Sequence, residues 1–513
     1  MTDARMLIGG DWEANPRFDP EKRSGPRNPE KILSPTWAEA ETGERVEIIN
    51  PANGTVVASV PKGTAADARK AVAAAAEAFP RWRETDPDDR ASHIVKAMGL
   101  VKAHQKELAA LLSAEQGKPV FEAAGEIHHF IHGMTFYAGL SSKLRGAQVP
   151  LPSTMGKHAF GMVVKRPVGV CAAIVPWNFP ITLLGTKLGP ALIAGNTVVA
   201  KPASTTPLTT LRIAALFMEA GLPAGVLNVV TGPGGEVGEE LLTNPIVRRV
   251  AFTGSSDTGR RVMACAGPDF KRITLELGGS DPMIVMPDAD LRKAVTGAMI
   301  GRFWNAGQAC LAVKRLILHE EIHDAFLEAL LAKVKGYEPG DPATRPEKGK
   351  FRMGPLHTAA QREEVEAQLA DAVERGAKVL CGGKRPDDPS LAKGHYFEPA
   401  VVVDVPTDSQ LVTQEVFGPV LPVFKVASLD EAIALANDTP WGLGSSIWTN
   451  DLAASHKAIR EIEAGVTWVN MIHYGYDELP FGGVKASGIG QEHGPEAVDH
   501  YLESKGAVIG GLA

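Results

Sequence analysis

A chain of 513 residues, 44% hydrophobic and 22% charged, holds enough apolar material for large cores, and its length fits two or three domains. A formal net charge of -7 argues against nucleic acid or an anionic membrane as partner, because either usually leaves a basic surplus. No stretch approaches the roughly 18 to 20 apolar residues that cross a bilayer, and no apolar run follows Met1-Thr2-Asp3-Ala4-Arg5, so the expected compartment is the cytoplasm.

In chain order, residues 15–46 are rich in proline and charge and predict a surface loop or a poorly ordered arm. Apolar residues recur at helical spacing from Ala65 to Lys106, and further helical patterns run from Glu107 to Leu144. Between Val163 and Val285 the pattern turns to short apolar runs: Val168 to Val175, Thr197 to Ala200, Val226 to Val230, Arg249 to Thr253 and Ile273 to Leu277. They are bounded by Gly and Pro and separated by helical segments such as Leu208 to Ala220, the signature of a buried parallel sheet with crossover helices. A second alternation from Asp288 to about Ala486 predicts another α/β domain.

The strand ends of the first region, where such sheets bind ligands, carry PWNFP (Pro176 to Pro180), KPAS (Lys201 to Ser204), FTGSSDTG (Phe252 to Gly259) and LELGG (Leu275 to Gly279). Gly254 to Gly259 suits backbone N–H groups approaching a pyrophosphate, although a glycine pair at this spacing also makes a plain tight turn. The second region opens with FWNAGQAC (Phe303 to Cys310), which sets a cysteine among small and amide residues, and Glu276 is available as a carboxylate. A thiol can add to a carbonyl and a carboxylate can then activate water to release the product. Cys171, Cys265, Cys310 and Cys381 lack the close spacing of zinc or redox pairs, so neither a disulfide framework nor a metal is expected, and each could equally be a small buried hydrophobe.

Together and in this order, with EVFGPV (Glu415 to Val420) and PFGGVKASGIG (Pro480 to Gly490), these segments resemble the aldehyde dehydrogenase superfamily from about Gly9 to Lys505. The resemblance implies two Rossmann-like α/β domains and a small β oligomerisation element. Its expected parts are a cofactor domain of residues 1–145 and 168–281, a catalytic domain of 282–488, and an oligomerisation element of 146–167 and 495–513 that makes a homodimer or homotetramer. The implied reaction oxidises an aldehyde to a carboxylic acid with NAD or NADP. Cys310 resembles the nucleophile and Glu276 the base that hydrolyses the thioester, while Asn178 and the backbone N–H of Cys310 would stabilise the oxyanion. Lys201 and Glu415 would hold ribose hydroxyls, Gly254, Ser255 and Gly259 the pyrophosphate, and Phe417 the nicotinamide ribose or ring, with Pro176, Trp177, Ser204 and Leu277 lining the cofactor. Ser204 stands where NAD-preferring relatives often carry a larger residue or Glu, which leaves room for NADP.

Phe179, Trp304, Phe136 and the pair Tyr474 and Tyr476 could wall an aldehyde tunnel, with Leu311 beside the nucleophile, or could be ordinary core. No arginine lies between Trp468 and Lys485 or from Phe303 to Cys310 to clamp a substrate carboxylate, which favours apolar or aromatic aldehydes over semialdehydes. His128, His129 and His132 share a helix but lack a third acidic ligand at suitable spacing, so they read as solvated or core residues, or as one histidine lining the substrate mouth. Gln491 and Trp441 replace a usual Arg and Tyr, with local packing effects expected. Glu276 argues against a CoA-acylating enzyme, and Cys310, Glu276 and Asn178 together argue against a catalytically silent scaffold.

Overall fold

The computed structural model describes residues 5–8, 37–152, 159–348 and 350–510. The two long helical stretches divide into four helices, Ala65–Glu84, Pro87–Ala103, Gln105–Gln116 and Val120–Ala138. The first break is set by capping chemistry: Asp86 accepts from Asp88 N, and Pro87 takes the first helical turn, where a missing N–H costs nothing. The third helix ends at Gly117, whose φ of 100° favours glycine.

Residues 15–36 of the proline-rich segment lie outside the described residues. Its remainder corrects the loop expectation: Trp37–Ala38 pairs antiparallel with Met6–Leu7, and Arg45–Ile49 forms a hairpin with Val56–Pro61. Polar composition misleads here because Arg45 and Glu47 stand on solvated strand positions, Arg45 bonding Ser59 and Glu39.

The predicted runs form the parallel centre of an eight-stranded sheet. Its order is Trp37–Ala38, Met6–Leu7, Leu227–Val229, Thr197–Lys201, Val170–Ile174, Val247–Thr253, Arg272–Glu276 and Gly488–Ile489. These strands lack alternation because apolar cores cover both faces. A seven-stranded sheet follows, in the order Lys378–Cys381, Ala400–Val403, Val420–Val426, Val313–His319, Asp281–Val285, Gly444–Trp448 and Val466–Val469. It is parallel except for its first pair and has its own core. A third, antiparallel sheet joins Ala147–Pro150, Phe160–Pro167 and Leu502–Ile509.

Arg272–Glu276 ends the first sheet only a few residues before Asp281–Val285 begins the second. The carboxyl edge of one sheet therefore faces the amino edge of the other, and both leading motifs open into the cleft between them. Gly488–Ile489 then returns to pair antiparallel with Leu275 and Glu276 at the edge of the eight-stranded sheet. Among the described residues no helix is long and apolar enough to cross a membrane.

Candidate active site

The chain from Phe303 to Cys310 links helix Leu291–Phe303 to strand Val313–His319. Asn305, Ala306 and Gly307 are left-handed in succession, with φ of 51°, 53° and 75°. Two of these are not glycine, so the surroundings must offset a strained turn. Glu122 Oε2 accepts from Asn305 N at 2.9 Å, and Asn305 Nδ2 donates to the carbonyls of Asn178 and Gln308 at 3.0 and 3.2 Å. Gln308 Oε1 accepts from His357 N at 2.8 Å. A Cβ on Gly307 would lie 2.4 Å from Gly418 O, so the third position admits only glycine. Held this way, Cys310 stays partly exposed and packs with Leu311 against Leu443, Trp468 and Phe481.

Glu276 is buried at the end of its strand, and neither carboxylate oxygen has a well-formed hydrogen bond. Burial pushes its carboxyl up to about 8, opposed chiefly by the Cys310 thiol nearby. The thiol itself is raised well above the ordinary range, by burial first and then by the Glu276 charge, while Lys314 pulls it down. At neutral pH both groups are therefore protonated at rest, and Glu276 is the easier of the two to ionise. Asn178 Nδ2 donates to Gln308 O at 3.2 Å, which leaves its second amide hydrogen available. Lys118 anchors the Asn178 carbonyl at 2.7 Å while pairing with Glu126 at 2.5 Å.

Three contributors escaped the motif reading. Lys187 Nζ lies 2.7 Å from both Glu492 Oε1 and Thr253 Oγ1, and Thr186 Oγ1 donates to Glu492 Oε2 at 2.7 Å. The charges of this pair act on Glu276 in opposite senses, Glu492 raising its pKa and Lys187 lowering it. A signal was present, since Lys187 is the lone charge in PITLLGTKLGPALI, and a lysine on an otherwise buried helix requires a partner. The third is Lys314, buried next to Cys310: its Nζ donates to Cys310 O at 2.5 Å and to Glu415 Oε1 at 2.9 Å. Glu415 Oε1 also accepts from Gly279 N at 3.1 Å, so the carboxylate bridges LELGG and the cysteine loop.

At the carboxyl edge of the first sheet, Lys201 is buried and pairs with no carboxylate among the described residues; its Nζ reaches only Pro202 O at 3.2 Å. Burial without a countercharge lowers it to about 8, so an anionic or hydroxyl ligand would stabilise it. Ser204 is exposed and donates to Gly232 O at 2.9 Å. Ser255 caps helix Ser256–Ala266 by accepting from Thr258 N, and Gly254 N donates to Glu276 O at 3.1 Å, which ties the glycine turn to the base. A Cβ on Gly259 would lie 2.6 Å from Leu277, so glycine there lets the helix approach LELGG. Trp177, just after the half-buried Pro176, stacks on His357 at 4.6 Å and meets Phe417 edge-on at 5.6 Å. An uncompensated lysine, a capped helix N-terminus and a carboxylate in one cleft fit the ribose and pyrophosphate of a dinucleotide.

On the other side of Cys310, Trp304 is 37% exposed and meets Phe121 edge-on at 5.6 Å. Lys118 sits 3.9 Å above the Phe179 ring. Tyr474 packs edge-on to His129 and Tyr476, and its neighbour His473 bonds Leu311 O through Nδ1 at 2.9 Å, which brings this loop beside Cys310. Phe136, on the same helix as His129, packs edge-on to Tyr137 against the helical core. Arg302 and Arg315, the arginines flanking Cys310 in sequence, are buried and donate to backbone carbonyls of Val416, Ser280, Leu435 and Ala436. Trp441 Nε1 donates to Ser256 Oγ at 3.3 Å, and Gln491 is exposed.

A model of the aldehyde dehydrogenase family matches residues 37–507. The chain is 41% identical to a glutarate-semialdehyde dehydrogenase of Pseudomonas aeruginosa, over 93% of this chain and 96% of that protein. It is also 41% identical to an NADP-dependent succinate-semialdehyde dehydrogenase of Escherichia coli, over 93% and 97%. The crystal structure of an E. coli NADP-dependent enzyme superposes with a TM-score of 0.90 at 38% identity, covering 99% of this chain and 98% of the other. The protein belongs to the aldehyde dehydrogenase family and oxidises an aldehyde with NAD or NADP as its cofactor.

Proposed function

We propose that the substrate is an apolar or aromatic aldehyde and that Cys310 oxidises it through a thioester hydrolysed by water that Glu276 activates. Supporting the covalent part is one observation: the thiol and the Glu276 carboxyl lie close enough to perturb each other inside a buried cleft. The Cys310 thiol releases its proton to solvent in the cleft, and the thiolate attacks the aldehyde carbon to form a thiohemiacetal. The free amide hydrogen of Asn178 and the Cys310 N–H stabilise the oxyanion. NAD or NADP, when bound, accepts the hydride released as the thioester forms. Glu276 releases its proton to bulk through the Lys187–Glu492 pair or the cleft, then takes one from water as that water attacks the thioester. Pro176, Trp177, Lys201, Ser204, Gly254, Ser255, Gly259, Leu277, Glu415 and Phe417 hold the cofactor in this reading.

The substrate class rests on the mouth, where Trp304, Phe179 and Tyr474 offer apolar surface and the flanking arginines are committed to backbone carbonyls. A semialdehyde is the second reading, favoured by the names of the two relatives. Comparing kcat/KM for phenylacetaldehyde and succinic semialdehyde decides between them, and a preference for the semialdehyde would overturn the aromatic reading. Residues 1–145 and 168–281 serve as the cofactor domain in this proposal, and 282–488 as the catalytic domain. Residues 146–167 and 495–513 would assemble a homodimer or homotetramer, with exposed Val149, Val164 and Val508 on the third sheet as apolar contacts. Sedimentation as a monomer only would refute that assembly.

A further inference from the structure

We propose that His129, Asp477 and His493 form a binding site for a divalent transition-metal ion of the zinc class at the substrate mouth. The sequence offers no acidic ligand near the histidine-bearing helix; the fold supplies Asp477 from 345 residues beyond His132. One ligand atom from each of the three residues falls within 4.8 Å of the others. His493 Nδ1 is 3.0 Å and His129 Nε2 is 3.9 Å from Asp477 Oδ1. Ligand atoms around tetrahedral zinc, each about 2.0–2.1 Å from the ion, stand about 3.3 Å apart, which lies between those two values.

The surroundings prepare the ligands. Tyr474 OH lies 2.9 Å from His129 Nδ1. With the proton on Nδ1 and donated to Tyr474, the Nε2 lone pair faces a carboxylate oxygen at a distance too long for a hydrogen bond. Two acceptors so placed attract a cation between them. Asp477 Oδ2 is 2.6 Å from His132 Nδ1, which leaves Oδ1 turned to His129 and His493. Gly133 opens the space, because a Cβ there would lie 2.8 Å from Asp477 Oδ1. Gly494 N donates to Asp477 O at 2.9 Å, fixing the backbone between two ligands. Asp477 and His493 are buried and His129 is nearly so.

The experiment titrates cobalt(II) into the full chain carrying Cys310→Ser, so that the active-site thiol takes no part. Visible absorption and metal analysis after dialysis are read together. One equivalent is expected, with d–d bands of nitrogen and oxygen ligation and no sulfur-to-cobalt charge-transfer band. Asp477→Asn and His129→Ala should each weaken binding at least 100-fold, and His128→Ala should leave it unchanged. Tyr474→Phe, which keeps the packing, should weaken it about tenfold, and this variant decides the matter if the others fail to fold. No stoichiometric binding would show that the three side chains form a hydrogen-bonded network only. Binding that survives Asp477→Asn, that Tyr474→Phe leaves at full affinity, or that is lost with His128→Ala, would equally overturn the site.

Discussion

Hydrolysis of the thioester should follow the ionisation of Glu276, and its pH dependence follows from the burial of that side chain. Desolvation raises the carboxyl to about 8, so at pH 7 about one molecule in ten carries the base, and each further unit down lowers the rate about tenfold. In the acyl-enzyme Cys310 is covalently blocked and cannot titrate. The limb then reports Glu276 alone, with a midpoint at 8 or slightly above, because the thiol that opposed the rise no longer bonds it. The assay is single turnover: acylate with excess aldehyde and cofactor, remove both, and follow hydrolysis by quenched flow from pH 6 to 10. Glu276→Gln should leave a burst of reduced cofactor and slow hydrolysis by about 100-fold to 10,000-fold, with no limb remaining. A rate flat from pH 6 to 9, or a midpoint near 4.5, would refute the assignment.

Other expectations concern single side chains. Cys310→Ala should abolish oxidation and leave cofactor binding by fluorescence within about twofold, whereas Ala at Cys171, Cys265 or Cys381 should retain turnover. Ser204→Glu should lower kcat/KM for NADP relative to NAD by about 10- to 100-fold, since a carboxylate about 6 Å from a 2'-phosphate repels it by about 1.4 to 3 kcal/mol at an effective dielectric of about 40 to 80. An unchanged ratio would show that residue 204 does not face the 2' position. Lys314→Met removes the cation that lowers the Cys310 pKa; the acid limb of the acylation burst should move to higher pH, and an unmoved limb would limit Lys314 to holding Glu415. Above pH 8 the wild type carries a buried charge at residue 276 that the unfolded chain solvates, so stability is lost as pH rises from about 4.5 to 8. Glu276→Gln should therefore melt higher than wild type at pH 9 and no higher at pH 5.

The parallel strands were legible because burial on both faces removes polar residues from each run: Arg249 to Thr253 and Ile273 to Leu277 match the observed strands closely. Cys310, Glu276 and Asn178, which the structure gathers around one cleft, were legible as a group because each sits in a compact motif. Long-range partners were not. Lys187 and Glu492 are 305 residues apart, and Lys314 becomes meaningful only when Glu415 arrives from 101 residues away. The short strands Met6–Leu7 and Gly488–Ile489 carry too few residues to show a period, and their pairing comes from the sheet edges they complete. Phe136 was named because the resemblance places its segment around the aldehyde tunnel, with ordinary core as the alternative, and here it packs on Tyr137 and the helical core.

The return of Gly488–Ile489 to the eight-stranded sheet means the chain crosses between the two large bodies at neighbouring points, at Leu277 to Ser280 and again just before Gly488. Across the cleft the bodies are also clasped side chain to backbone, by Glu122 on Asn305 N and by Asn178 on Gln308 O. Glu276 and Cys310 are thus gripped from two directions, like a joint pinned on one side and bolted on the other, and their separation is set by the frame and not by either loop alone.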